Sequence, residues 1–124
     1  MQQIDVHPER WQAGRGYRKQ PLATAGALAA PGTLVQLVEM APGDTIPDHV
    51  HSSAREFYCV LSGRCLLAVN GNTLRLEPGD MLLTEPGDVH RLHNDGAEPF
   101  RLLVFKTNAA PGDTHWIDDV ESEL

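Results

Sequence analysis

The sequence predicts an all-β domain, a sandwich or barrel of short strands, on three observations. Turn signals recur at close intervals through the middle of the chain, and the segments between them are rich in β-branched, aliphatic and aromatic residues. No long amphipathic helical period interrupts this alternation.

In chain order the expected strands are Thr33 to Met40, Arg55 to Leu61, Arg64 to Val69, Thr73 to Leu76, Met81 to Thr84, Val89 to His93 and Phe100 to Thr107. Turns separate them at Ala41-Pro-Gly-Asp44, Ser62-Gly63, Asn70-Gly-Asn72, Glu77-Pro-Gly-Asp80, Glu85-Pro-Gly-Asp88 and Asn94-Asp-Gly96. In Pro-Gly-Asp, proline fixes φ, glycine supplies a positive φ and the aspartate accepts from nearby amides. The tripeptide begins at 42, 78, 86 and 111, with irregular spacings of 36, 8 and 25, which marks a reused turn rather than a structural repeat. Residues 10–30, rich in Gly, Ala and Gln, leave three forms open: an irregular arm, an edge strand or one helical turn. If Ser62-Gly63 closes a two-residue hairpin, Val60 faces Cys65 and Cys59 lies on the other face, a register that forbids a Cys59–Cys65 disulfide. Both cysteines are read as small packing residues.

A chain of 124 residues suits one domain, 1–124, with a core barrel over about 31–107, an N-terminal arm over 1–30 and a C-terminal tail over 108–124. The net charge of −7 opposes a phosphate backbone and the basic residues Arg10, Arg15, Arg18 and Lys19 are scattered, so no nucleic-acid partner is expected. The longest apolar-rich stretch, Leu22 to Ala30, is far shorter than the roughly 20 residues of a membrane-spanning helix. The first ten residues have neither a basic start nor an apolar core, and a cytoplasmic location is the expectation. The acidic stretch Asp118 to Glu123 reads as a solvated tail.

The chemistry concentrates in HVHSSAREF, residues 49–57. Residues i and i+2 of a strand point to one face, so His49 and His51 can aim at a single point. Glu56 breaks that parity, and Ser52-Ser53-Ala54 supplies small residues for the bend that would bring it back. Counting outward gives Gly43, five residues, His49-Val50-His51, four residues, Glu56, six residues, Gly63; downstream come Gly79, seven residues, Gly87, two residues, His90, three residues, Asn94. These spacings resemble the two motifs of the cupin superfamily. The first is matched at every fixed position. In the second, Glu85 stands in the usual proline place and Pro86 one residue later, a departure that concerns the turn and not the histidine.

The resemblance implies a double-stranded β-helix, or jelly-roll, fold and a metal site built by His49, His51, Glu56 and His90. Three neutral imidazoles and one carboxylate suit a divalent transition ion such as iron, manganese, nickel, cobalt or zinc, whereas the absence of cysteine among them disfavours Cu(I) or iron–sulfur chemistry. Four protein ligands leave two positions open on an octahedral ion. The function expected is therefore a metal-dependent enzyme acting on a small organic molecule, of oxygenase type before isomerase or lyase. The rival is a binding or sensor module that holds a ligand without turning it over. Small cupins commonly pair through their barrels, so a homodimer is expected.

The remaining candidates follow from parity. His93 is an odd number of residues from His90 and should face away from the metal, while Asn94 begins a turn and should bond backbone there. His7 is expected to be terminal and exposed, and His115-Trp116 to cover a barrel end. Tyr58 and Val60 share the parity of Glu56 and should face inward, which makes Tyr58 a possible substrate contact. Leu67, Leu82 and Phe105 are the candidates for a mostly apolar interior.

Overall fold

The computed structural model describes residues 1–118, so most of the acidic stretch read as a solvated tail lies outside the described residues. Eleven strands are present: β1 (Gln12–Ala13), β2 (Arg18–Ala23), β3 (Leu34–Met40), β4 (Thr45–His51), β5 (Arg55–Ser62), β6 (Cys65–Val69), β7 (Asn72–Leu76), β8 (Met81–Thr84), β9 (His90–His93), β10 (Phe100–Thr107) and β11 (Thr114–Trp116). One α-helical turn, α1 (Ala25–Leu28), follows β2, and a 3₁₀ turn, Pro8–Arg10, precedes β1. The strands form a six-stranded sheet in the order β1-β2-β3-β10-β5-β8 and a five-stranded sheet in the order β11-β4-β9-β6-β7. All pairings are antiparallel.

From β3 onward the chain passes from sheet to sheet at every connection but one, which is the double-stranded β-helix expected. The exception is the β6–β7 hairpin, where Asn70 and Gly71 take φ of 49° and 83°, the signs a type I′ turn needs. The four Pro-Gly-Asp turns all lie at crossings between sheets, and in each the aspartate amide donates back to the residue before the proline: Asp44 to Ala41, Asp80 to Glu77, Asp88 to Glu85 and Asp113 to Ala110. In the first three, the carboxylate also accepts from that residue's own amide, at 2.8–3.1 Å. The fourth, Asp113, sends its carboxylate elsewhere, into the loop before β5.

Ser62-Gly63 is not the hairpin turn assumed for the cysteine register. It carries the chain from β5 in one sheet to β6 in the other, where β6 pairs with β7 and β9. A side chain at position 63 would meet the Pro99 carbonyl and Phe100 Cα at 2.9 Å, so the crossing passes too close to its neighbour for anything but glycine. Cys59 and Cys65 are nonetheless free, and burial pushes the Cys65 thiol up to about 12, which suits a packing residue.

Residues 10–30 hold both an edge strand and a helical turn: β2 pairs with β3, and Thr24 caps α1 by accepting from the Ala27 amide. Gln20, buried in β2, clamps the backbone of His7 from both sides, accepting from its N–H at 2.8 Å and donating to its carbonyl at 2.7 Å. His7 is therefore held and half-buried rather than loose at the terminus.

Inward-facing residues alternate along the central strands: Glu56, Tyr58 and Val60 in β5, Phe100, Leu102 and Val104 in β10, His90 and Leu92 in β9. The fully buried apolar group of Met40, Cys65, Leu67, Phe100 and Leu102 fills one end of the barrel. Leu82 packs half-buried against that core, but Phe105 does not line the interior. The parity of β10 is set by Leu102 and Val104, which turns Phe105 outward at 38 % exposure and Lys106 inward. Among the described residues no helix is long and apolar enough to cross a membrane.

Candidate metal centre

The polar end of the barrel is where β4 and β10 finish and β5 and β9 begin. Along β4, Ile46 pairs with Leu92 and His49 with His90, and the irregularity between them lets residues three apart both face inward. His49 and His51 then share a face as period-two neighbours, while the bend at residues 52–54 restarts the alternation so that Glu56 also points in. One ligand atom from each of His49, His51, Glu56 and His90 lies within 4.8 Å of the others, and all four residues are buried. The four side chains singled out by spacing are thus brought together in the fold.

Hydrogen bonds behind the rings set their orientation. His49 Nδ1 donates to the Pro47 carbonyl at 2.8 Å and His90 Nδ1 to the Asp88 carbonyl at 3.0 Å. A carbonyl only accepts, so in each neutral ring Nε2 carries the lone pair. Burial and the neighbouring His90 push His49 down to about 4, which keeps its imidazole neutral at neutral pH, the form a metal ion would need. His51 Nδ1 lies 3.2 Å from the Thr114 hydroxyl and 3.8 Å from the Asp113 carboxylate.

Glu56 stands at the centre. Its Oε1 is 2.7 Å from His51 Nε2 and 3.4 Å from His90 Nε2, and it accepts from the Tyr58 hydroxyl at 3.2 Å. Burial pushes the Glu56 carboxyl up, and the neighbouring Lys106 ammonium pulls it down. The Tyr58 hydroxyl is pushed far up by burial and then by Glu56, so it remains a protonated donor.

Do these residues fit a metal ion? His51 Nε2 and His90 Nε2 are buried and make no hydrogen bond despite their closeness to the carboxylate. Buried polar atoms are normally paired, and the His90 Nε2 lone pair turned toward a carboxylate oxygen is repelled unless a cation lies between them. Bonds of about 2.0–2.2 Å put opposed ligand atoms roughly 4–4.4 Å apart, a small contraction from the spread observed. Donor set, orientation and unpaired atoms all fit a divalent ion.

Around this group lies a small cavity of about 60 Å³, lined also by Tyr17, Gln36, Tyr58, Lys106, Thr114 and Trp116. Trp116 stacks obliquely on His49, ring centres 5.1 Å apart, and Arg15 covers its other side at 4.7 Å, so this part of β11 does cover the barrel end. His115 is exposed, and His93 faces away from the site with Nδ1 2.7 Å from the Thr45 hydroxyl. Asn94 is fully buried and bonds backbone at Met40, Glu98 and Gly96.

Three contributors escaped the sequence reading. Lys106 closes an apolar strand and looks like a solvent-facing cation; counting by twos from Leu102 would have turned it inward. Gln36 and Asp113 carry no such signal, since Asp113 looks like a fourth copy of a surface turn. Its carboxylate instead accepts from Ser52 Oγ and the Ser53 amide at 2.7 Å, Ser53 Oγ at 2.8 Å and the Ala54 amide at 3.1 Å, which fixes the bend between His51 and Glu56.

Comparison with known proteins agrees with this architecture. The Cupin domain family model matches residues 36–106, more than half of the chain. The chain is 28 % identical over 106 residues to the tetracenomycin polyketide synthase protein TcmJ of Streptomyces glaucescens, covering 86 % of this chain and 69 % of that one. It is 29 % identical over 108 residues to the polyketide synthase CurC of Streptomyces cyaneus, covering 87 % and 70 %. The crystal structure of an uncharacterized double-stranded β-helix protein from Klebsiella pneumoniae superposes with a TM-score of 0.72 at 25 % identity, covering 93 % of this chain and 96 % of that one. On motif, fold and match together, this chain belongs to the cupin family.

Proposed function

We propose that the chain is a metal-dependent enzyme that holds one divalent transition ion on His49, His51, Glu56 and His90 and acts on a small organic molecule, in a reaction of oxygenase type. The observation that carries the reading is the pair of buried, unpartnered Nε2 atoms of His51 and His90 facing the Glu56 carboxylate beside a cavity. When bound, such an ion supplies Lewis acidity and, if redox-active, electrons for the reduction of O₂. The chain's own residues do the rest. Trp116, Ile46, Val38 and Leu92 give the cavity an apolar wall that excludes water, and Tyr58 presents a protonated hydroxyl at the site, where it can also meet substrate. An isomerase or lyase reaction is the second reading. It is favoured by Lys106, whose ammonium lies 3.6 Å from Glu56 Oε2, placed to hold a proton beside a developing enolate. The polyketide synthase names of the two Streptomyces relatives support a substrate bearing carbonyl groups.

Iron-loaded and manganese-loaded protein incubated with a panel of small oxo- and hydroxy-acids and phenols, with O₂ uptake and product masses recorded, tests the reading. Turnover should vanish on chelation and return on adding the ion. Turnover that survives removal of the metal contradicts it, and ligand binding without product identifies a binding module.

The reading includes a homodimer. On the outer face of the larger sheet Phe57 sits between Leu83 and Phe105 by register, and with Leu61 and Met81 these side chains are 38–65 % exposed, an apolar patch that a second copy can cover isologously. Sedimentation at micromolar concentration should give a dimer for the wild type and a monomer for Phe57→Glu; a monomeric wild type contradicts it.

A further inference from the structure

The cavity wall opposite the ring nitrogens contains two polar groups that metal binding leaves without partners. Lys106 is turned inward by the parity of β10, its side chain only 18 % exposed, and among the described residues it makes no hydrogen bond; its nearest anion is Glu56 Oε2 at 3.6 Å. Gln36, one strand away on β3 and paired by register with Val104, is 5 % exposed, and its Oε1 is buried with no partner. Both line the cavity. A buried amide oxygen is costly unless something satisfies it, and the half-buried Lys106 ammonium beside it favours an anion there.

Charge decides what that something is. Among the described residues Glu56 is the only carboxylate lining the cavity, because Asp113 lies behind His51 with its oxygens taken up by Ser52, Ser53 and Ala54. With a divalent ion bound, the charge of Glu56 is more than offset, and the Lys106 ammonium is left without an anion. Size narrows the choice further. At roughly 10–15 Å³ per water-sized group, a cavity of about 60 Å³ admits about four to six non-hydrogen atoms, a small acid or the end of a larger one.

We propose that Lys106 and Gln36 form a substrate-anchoring subsite, so that the molecule taken into the cavity is a hydroxycarboxylate presenting its carboxylate to Lys106 and its hydroxyl to Gln36. The inference rests on the metal reading above and adds to it the substrate class. A Lys106 that served only as counter-ion to Glu56 would affect metal affinity but not the choice between charged and neutral ligands.

The test compares L-lactate with lactamide, its neutral isostere, by calorimetry on manganese-loaded protein, with manganese per chain measured for every variant. Lys106→Met should keep its manganese, lose about tenfold to a hundredfold in lactate affinity, as loss of a charge-assisted hydrogen bond implies, and bind lactamide within twofold of wild type. Gln36→Leu should weaken both ligands alike and leave their ratio unchanged. Lys106→Gln is the second neutral variant should Lys106→Met fail to fold. A neutral variant that holds manganese and keeps the wild-type preference for lactate overturns this inference alone. A wild-type chain that takes up none of manganese, iron, cobalt, nickel and zinc overturns the metal reading and this inference with it.

Discussion

His51→Ala should weaken metal binding by more than about a hundredfold while leaving the barrel folded. Even changes behind a ligand commonly cost ~10–100-fold in affinity, and this one removes a ligand atom. His51 Nε2 is the nitrogen nearest Glu56, at 2.7 Å, so its loss opens the centre of the group rather than its rim. The fold should survive because the buried apolar residues Met40, Cys65, Leu67 and Phe100 lie outside the lining of this cavity. Calorimetric titration with manganese and far-ultraviolet circular dichroism on the same sample measure both quantities. His93→Ala is the control: it loses a hydrogen bond to Thr45 but has no contact with the site, and its metal affinity should match that of wild type. An unfolded His51→Ala protein would mean that the ion holds the barrel together and would weaken the catalytic reading.

Asp113→Ala should cost about 3 kcal/mol of stability. One carboxylate accepts four hydrogen bonds from the 52–54 bend, and its removal leaves the half-buried Ser53 amide and the buried Ala54 amide unpaired. Because the same bend separates His51 from Glu56, and Asp113 lies 3.8 Å from His51 Nδ1, metal affinity should fall as well, by about tenfold to a hundredfold. The pH dependence has a definite sign. Burial pushes the Asp113 carboxyl up, yet the bonds from Ser52, Ser53 and Ala54 outweigh it and hold it well below its ordinary 3.8. The stability it contributes is therefore present above that ordinary value and is lost as pH falls through the lower, folded-state value. Urea denaturation at neutral pH and below pH 4 checks this. Asp113→Asn should be less stable than wild type at neutral pH, with the gap closing in acid, and a gap independent of pH would contradict the account.

The contrast between His51 and Asp113 shows what a sequence makes legible here. The group of His49, His51, Glu56 and His90 was legible because the cupin motifs it matches fall in two short segments, of which only the first could also be read from strand parity plus one bend. Strands β3 and β5 to β10 were readable for a similar reason, since alternation and turn chemistry are local. The role of Asp113 was hidden because a residue's long-range partner leaves no mark on its own turn, which looks like the other three Pro-Gly-Asp turns. Gln36 and Lys106 were hidden because inward orientation on β3 and β10 depends on register with strands distant in sequence. The same dependence undid the Ser62-Gly63 hairpin, which assumed that neighbours in sequence pair in space, whereas a double-stranded β-helix sends consecutive strands to opposite sheets; Phe105 is turned outward by the parity of β10.

The central claim is that one divalent ion sits among His49, His51, Glu56 and His90. Anomalous diffraction at the absorption edge of the metal, from crystals of untagged protein grown with manganese or iron, measures this directly. The account predicts one peak per chain, within about 2.0–2.3 Å of the Nε2 atoms of the three histidines and of a Glu56 carboxylate oxygen. No peak at that position, or a peak held by other residues, would contradict it.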